Sequence, residues 1–211
     1  MERIQSIKRA FNNRKGFTLV EIAIVLVIIG IILGAALKGK DLISGARYKK
    51  FINAGVHAWT TTSYNYMDRM GRFPGDTDKD GIIGDGNVKT EIVAATFTDN
   101  PPQPLNLGSF TFYFFLGGDG ATPNKNVMVV CANIDCTGTF DAEQLKYIEA
   151  FDTSTDGSPS GTTGLVRCLN TAPTSALIAS YVVVPSAAAT ISEACTAGTT
   201  LGMAYYFDRA P

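Results

Sequence analysis

FTLVEIAIVLVIIGIILGAAL, residues Phe17 to Leu37, is a run of 21 residues interrupted by a single charge, Glu21. As an α-helix rising about 1.5 Å per residue it reaches roughly the 30 Å of a bilayer core. Its Ile and Val content is tolerated there, because in lipid a helix satisfies every backbone polar group within the segment. A buried strand would be far shorter. Glu21 is the anomaly: a carboxylate inside such a run costs on the order of 2.5 to 3.5 kcal/mol by insertion scales, and residues of this kind mark function. A chain cut between Gly16 and Phe17 would carry a new α-amino group one helical turn before Glu21, where an acid also suits the helix dipole. The resulting ion pair can form within one chain or between the amine of one subunit and the carboxylate of the next.

Around this segment the composition narrows the choice. The chain has 211 residues and 22.5 kDa, with 45% hydrophobic and 18% charged residues and a formal net charge of -1. That fits one ordinary domain and neither a disordered polyampholyte nor a basic nucleic-acid coat. Residues 1 to 16 hold Arg3, Lys8, Arg9, Arg14 and Lys15 against Glu2. Without them the remaining 13 basic and 18 acidic residues leave a formal charge of -5, a poor sign for binding polyanions. The lone histidine, His57, excludes a multi-histidine metal centre and restricts any Ser-His-Asp triad to one place.

Lys15-Gly16 followed by Phe17-Thr18-Leu19-Val20-Glu21 resembles the start of the type IV pilin and pseudopilin family, whose precursors carry a short basic leader, a glycine at the cut and a retained apolar helix. The resemblance covers residues 14 to about 50. It implies cleavage after Gly16 and N-methylation of Phe17 by a prepilin peptidase, with Glu21 and Phe17 then governing subunit docking. Gly30 falls where many pilins have a glycine that lets the helix loosen in the fibre, whereas Lys38 stands where many major pilins have a proline. The fold implied is α+β and pilin-like: a long N-terminal helix, first transmembrane and then amphipathic, packed on a C-terminal antiparallel β-sheet head. The corresponding division is a leader at 1-16, a transmembrane or filament-core helix at 17-37, an amphipathic helix at 38-72 and a β-rich head at 73-211.

Two plainer origins for the apolar run are a secretory signal cut near Gly34 and Ala36 and a simple single-span anchor. Neither accounts for Glu21 or for the Gly-Phe junction. Loop charge is nearly balanced, since Lys38, Lys40, Arg47, Lys49 and Lys50 follow the span closely, so it does not fix orientation. The GxxxG of Gly30 and Gly34 is incidental in this setting.

Beyond the span, Tyr48, Ile52, Val56 and Trp59, joined by Phe51, Tyr66 and Met70, recur at three- and four-residue steps and predict an amphipathic helix to about Met70. Gly71 and Phe73-Pro74 supply the stop. Trp59 belongs to the apolar stripe and so to the core, and His57 is a surface or satisfied residue before it is a ligand. From residue 74 on, turn-forming clusters separate short β-like runs at 109-116, 126-132, 177-184 and 201-207. A helix is expected over Thr139 to Phe151, then a flexible loop from Asp152 to Cys168, with Gly117 to Gly120 forming a hairpin turn.

Cys131, Cys136, Cys168 and Cys195 make an even set outside the span, which points to disulfides and an oxidising compartment. Three pairings are open. Pairing Cys131 with Cys136 and Cys168 with Cys195 closes two local loops, and the second resembles the C-terminal disulfide-bounded loop of many pilins. Zinc is the alternative, but the spacings lack the short paired knuckles of zinc modules. Asp76-Thr77-Asp78-Lys79-Asp80-Gly81-Ile82-Ile83-Gly84-Asp85-Gly86-Asn87 matches the start of a calcium loop of the D-x-D-x-D-G type. Candidate ligands are Asp76, Asp78, Asp80, the Ile82 carbonyl, Asp85 and Asn87. Asn87 stands where a bidentate Glu is usual, so Asp85 must close a shorter loop or affinity drops to an extracellular, millimolar range.

The expected function is that of a structural, non-enzymatic subunit of a type IV pilus, minor or specialised and otherwise major. A pseudopilin of a type II secretion system comes second, and a membrane-anchored calcium-dependent binding domain that never polymerises comes third. An anchored enzyme has only scattered carboxylates in its favour. Expected partners are other copies of this chain or related pilins, prepilin peptidase, an inner-membrane assembly platform and the inner membrane itself. No nucleic acid is expected, for want of a basic, aromatic-studded strip. The location expected is the bacterial inner membrane before assembly, then an extracellular filament or a periplasmic pseudopilus.

Overall fold

The computed structural model describes residues 16-96, 100-171, 175-177, 182-184 and 191-208. The chain divides after Gly45 into two compact units. Helix α1, Leu19–Lys50, contains no buried residue, and Leu19, Val20, Ile31 and Leu37 are among its many exposed aliphatic side chains. From Leu19 to Leu37 it is apolar on every side apart from Glu21 and lacks the polar face of a helix that lies on a water-facing surface. It is long and apolar enough to cross a membrane.

The helical run continues through a π-helical segment, Phe51–His57, into helix α2, Ala58–Met70. The predicted stop is in place: Gly71 adopts φ 72° and donates its N–H to the Met67 carbonyl at 2.8 Å. The stripe read from the sequence is the face turned inward. Phe51, Val56, Trp59 and Tyr66 are buried, Tyr48 and Ile52 pack partly against the core, and only Met70 at the end of the stripe is half exposed. The π-helical turn was not foreseen. It brings Gly55 against β2 (Phe110–Gly118), where an added Cβ would come within 2.6 Å of Phe114 Cζ. The widened turn and the missing side chain together allow backbone to approach a ring.

The head is built on one sheet. Its strands are β1 (Leu105–Leu107), β2, β3 (Asn126–Cys131), β4 (Val166–Leu169), β5 (Ser175–Leu177), β6 (Val182–Val184), β7 (Ile191–Glu193) and β8 (Gly202–Tyr206). Their order is β5-β6-β2-β3-β8-β4-β7, with β1 also paired to β2. The described pairings are antiparallel except β2 with β6, which meet in parallel at Leu116 and Val182. Strand alternation sends Phe112, Phe114, Leu116, Met128, Val130 and Met203 to the helix-facing core, where Phe51 and Trp59 pack against Phe114. Phe115, Val127, Val129 and Ala204 form a second buried cluster on the opposite face, with Leu169 and Tyr206. Both faces of β2 are therefore apolar, which is why SFTFYFFL reads as an unbroken hydrophobic run.

Helix α4, Ala142–Asp156, begins with a capping box: Asp141 accepts from the Glu143 and Gln144 amides, and Gln144 Oε1 accepts from the Asp141 amide. It buries Leu145, Ile148 and Phe151. It also runs five residues beyond the Phe151 expected from the sequence, so the first part of the expected loop is helical. Thr153, Ser154 and Thr155 return their hydroxyls to the carbonyls of Glu149 and Phe151, which lets these poor interior helix formers finish the last turn. Gly157, at φ 82°, ends it. Four other features were missed. Val166–Leu169 and Ile191–Glu193 are strands, Val88–Ala94 forms a short helix α3, and β1 precedes β2. The hairpin turn starts later than expected, since Gly117 and Gly118 still pair with Val127 and Asn126 and the loop opens at Asp119. The expected single strand 177-184 is instead two, because β5 and β6 pair antiparallel with Leu177 opposite Val182, while 178-181 lie outside the described residues.

Candidate functional site

At the N-terminal junction Gly16 and Phe17 are exposed, Phe17 at 83%. Glu21 is not left bare. Its Oε2 accepts from the Thr18 amide at 2.8 Å and from Thr18 Oγ1 at 2.9 Å, while the Glu21 amide donates to Thr18 Oγ1 at 3.2 Å. This reciprocal arrangement is a capping box across Thr18-Leu19-Val20-Glu21. The carboxylate is thereby held at the first turn of α1, against the Thr18 amide, where the four leading N–H groups concentrate positive potential. Sequence reasoning treated Glu21 as a charge awaiting an amine and overlooked Thr18. The signal was available in the T-x-x-E spacing itself.

The acidic loop follows α2 directly. Arg72 Nη1 braces its entry by donating to the Phe73 and Asp76 carbonyls and pairing with Glu91 Oε2 at 2.7 Å; Glu91 also accepts from the Gly75 amide. Gly84 and Gly86 both donate to the Gly75 carbonyl, folding the loop back on its own start. Asn126 holds the far side: it accepts from the Ile83 amide at 2.8 Å and donates to the Gly81 carbonyl at 2.7 Å and to Asp208 Oδ2 at 2.9 Å. Ile83 is fully buried, as a residue pinning the loop to the core should be. Gly81 makes the expected turn at φ 88°, and Lys79 also takes a positive φ of 64°.

Within this frame the carboxylates Asp76, Asp78 and Asp85 converge, each offering an oxygen within 4.8 Å of the others. Asp76 is 1% exposed. Its Oδ2 accepts from the Gly81 amide at 3.2 Å, whereas its Oδ1 is buried without a hydrogen-bond partner. Burial pushes the Asp76 carboxyl above the usual carboxylate range, and Asp80 and Asp78 add repulsion. Asp85 is held below that range by the Thr77 hydroxyl at 2.6 Å and the Thr77 amide at 2.9 Å. Two other sequence candidates are engaged in local hydrogen bonds. Asn87 caps α3, its side chain accepting from the Thr90 amide, and Asp80 turns its Oδ1 to the Ile82 amide at 2.7 Å.

The structure joins Cys131 to Cys136 and Cys168 to Cys195. The second bridge ties β4 to the segment after β7. Beside it a cavity of about 320 Å³ is lined by Ile148, Glu149, Asp152, Ser160, Thr162 and Cys195. Asp152, 2% exposed, accepts from the Ser160 amide at 2.6 Å and is pushed up to about 6, chiefly by burial and further by Asp156. His57 is exposed and meets Phe151 edge-on at 6.4 Å, whereas Trp59 is core, with its Nε1 donating to the Pro102 carbonyl at 3.2 Å.

Residues 11–37 match the family model described as the prokaryotic N-terminal methylation motif. No curated protein and no solved structure matches the chain. The matched stretch contains the Gly16–Phe17 junction, the Thr18–Glu21 cap and the apolar part of α1 that follows, all features placed above from their own chemistry. The N-terminal segment of this chain therefore carries the signature of type IV pilins and pseudopilins.

Proposed function

We propose that the chain is a structural subunit of a type IV pilus, a minor or specialised pilin before a major one, and that it carries no catalytic site of its own. The observation that carries this reading is the methylation motif at the head of a helix with no buried residue. A helix apolar on all sides needs either lipid or other apolar helices around it. Before assembly the inner membrane provides the first, and in a filament copies of the same helix or of related pilins provide the second. Prepilin peptidase cuts after Gly16 and methylates Phe17. The new amine then lies next to Thr18, within reach of the carboxylate that Thr18 already orients, so that Glu21 can be satisfied by its own or a neighbouring amine. An assembly platform in the inner membrane draws the subunits into register.

The same motif supports a second reading as a type II secretion pseudopilin in a periplasmic pseudopilus, and the two part on physiology. Sheared surface fibres from the native host should contain the chain if it is a pilin. Deleting it should then impair fibre-dependent behaviour and leave exoprotein release intact. Loss of exoprotein release with no surface fibres would assign it to secretion. A chain that stays in the membrane with its leader uncut contradicts both readings and favours an anchored binding domain.

A further inference from the structure

The loop at 75-87 carries a problem that the filament reading leaves untouched. Asp76 is almost wholly buried, one of its oxygens has no partner, and no described ion pair involves Asp76, Asp78 or Asp85. A buried carboxylate in this state is strongly unfavourable unless a proton or a cation meets it. The other two carboxylates lie on its solvent side and bring oxygens to within 4.8 Å. One orphaned atom at the floor of a cluster of anionic oxygens is the arrangement a cation would complete.

We propose that Asp76, Asp78 and Asp85 bind one calcium ion in the head. The donors are hard oxygens with no sulfur or imidazole among them, which excludes a zinc or copper preference. Two of the three side chains are exposed, leaving room for water and for the six to eight oxygens at unequal positions that calcium accepts, whereas magnesium demands a tighter octahedron. Thr77 fixes the Asp85 carboxylate from both its amide and its hydroxyl, so that the chain closes the site at Asp85. Asn87 is engaged as the cap of α3 and lies outside the ligand set. The ion would sit in a loop sewn to α3 by Arg72 and Glu91 and to β3 and the Asp208 segment by Asn126, so its binding ties three parts of the head together. This assignment holds whether or not the chain forms a filament.

The test uses the full chain in detergent, stripped with EDTA and titrated with calcium chloride or magnesium chloride by calorimetry, with thermal unfolding followed in parallel. One calcium per chain is expected, with a Kd in the range of about 10⁻⁴ to 10⁻³ M of extracellular modules and a Tm that rises with calcium and not with equal magnesium. Asp76→Asn and Asp78→Asn should weaken binding at least about tenfold, the loss of one charged ligand, and abolish the calcium-dependent Tm rise. Both should unfold in EDTA no earlier than the native chain, because repulsion has been relieved. Asn87→Ser, which keeps a helix cap, should bind calcium as the native chain does. No heat and no Tm change at about 10 mM calcium, ten times the weakest expected Kd, would overturn the proposal. So would an Asp76→Asn chain that is destabilised in EDTA yet still responds to calcium, the pattern of a purely structural aspartate.

Discussion

The two units of this chain solve opposite problems. In α1, Leu19–Lys50, no residue is buried and the aliphatic side chains face outward on every side. In the head, Phe51, Trp59, Phe112, Phe114, Phe140 and Phe151 are all 1% exposed or less and pack ring against ring. The first segment takes its stability from surroundings it must find, whether lipid or neighbouring helices. The second takes it from its own sheet, core and two disulfides. Substitutions in one should thus leave the other's behaviour intact, and that separation can be attacked directly.

The largest effect is expected at the junction. Replacing Gly16 with Leu should stop processing and empty the sheared-fibre fraction, while the head's unfolding in detergent stays unchanged; a shifted head Tm would break the separation. In the head, Cys168→Ser with Cys195→Ser should cost about 3 to 4 kcal/mol by the chain-entropy estimate for a loop of this size, against about 2 for Cys131 with Cys136. Denaturant unfolding of the full chain reads both, with N-terminal processing expected to continue.

A pH effect of about 3 kcal/mol should follow from Asp152, raised from 3.8 to about 6. Because its folded value lies above its unfolded one, the native state holds the proton more tightly. The stabilisation is fully present below about pH 4 and is lost as pH rises through 6. The charge of Asp156 also favours the protonated form, whereas the Ser160 amide favours the ionised one. Asp152→Asn should flatten this slope in a pH series of unfolding curves; an unchanged slope would place its origin elsewhere.

Gly55→Ala should cost about 1 to 3 kcal/mol, since its Cβ would crowd the Phe114 ring. Gly30→Ala, with open space around it, should leave the isolated subunit's unfolding unaltered. Among the changes expected to move stability, Thr18→Val has the smallest effect, removing the hydroxyl arm of the cap at about 1 kcal/mol. Faster amide exchange confined to the first turn of α1 would show it.

What could be deduced from the sequence divides along the same line. The apolar span, its acidic residue and the motif around Gly16 and Phe17 are local chemistry, set by residues a few positions apart, and so is the helix stop at Gly71. The stripe from Phe51 to Tyr66 was legible because helical period and burial coincide. The π-helical turn at Phe51–His57 was not, because it depends on Gly55 meeting Phe114 across the core. Strand β4 looked like loop because Val166–Leu169 is short and gains its identity only by pairing with β8 and β7. The acidic loop was recognised by its aspartate spacing, yet that spacing does not show which hydrogen bonds its side chains make. Asn87 is claimed by a helix cap and Asp80 by the Ile82 amide, both consequences of a fold that the spacing does not encode.

The central claim is that the N-terminal segment is built to be cut and then assembled. The most direct test is mass spectrometry of the N-terminal peptide from the native host, comparing membrane and sheared-fibre fractions. The account predicts a peptide beginning at N-methylated Phe17 in the fibre fraction. A leader still attached to Gly16, found in membranes alone, would contradict it.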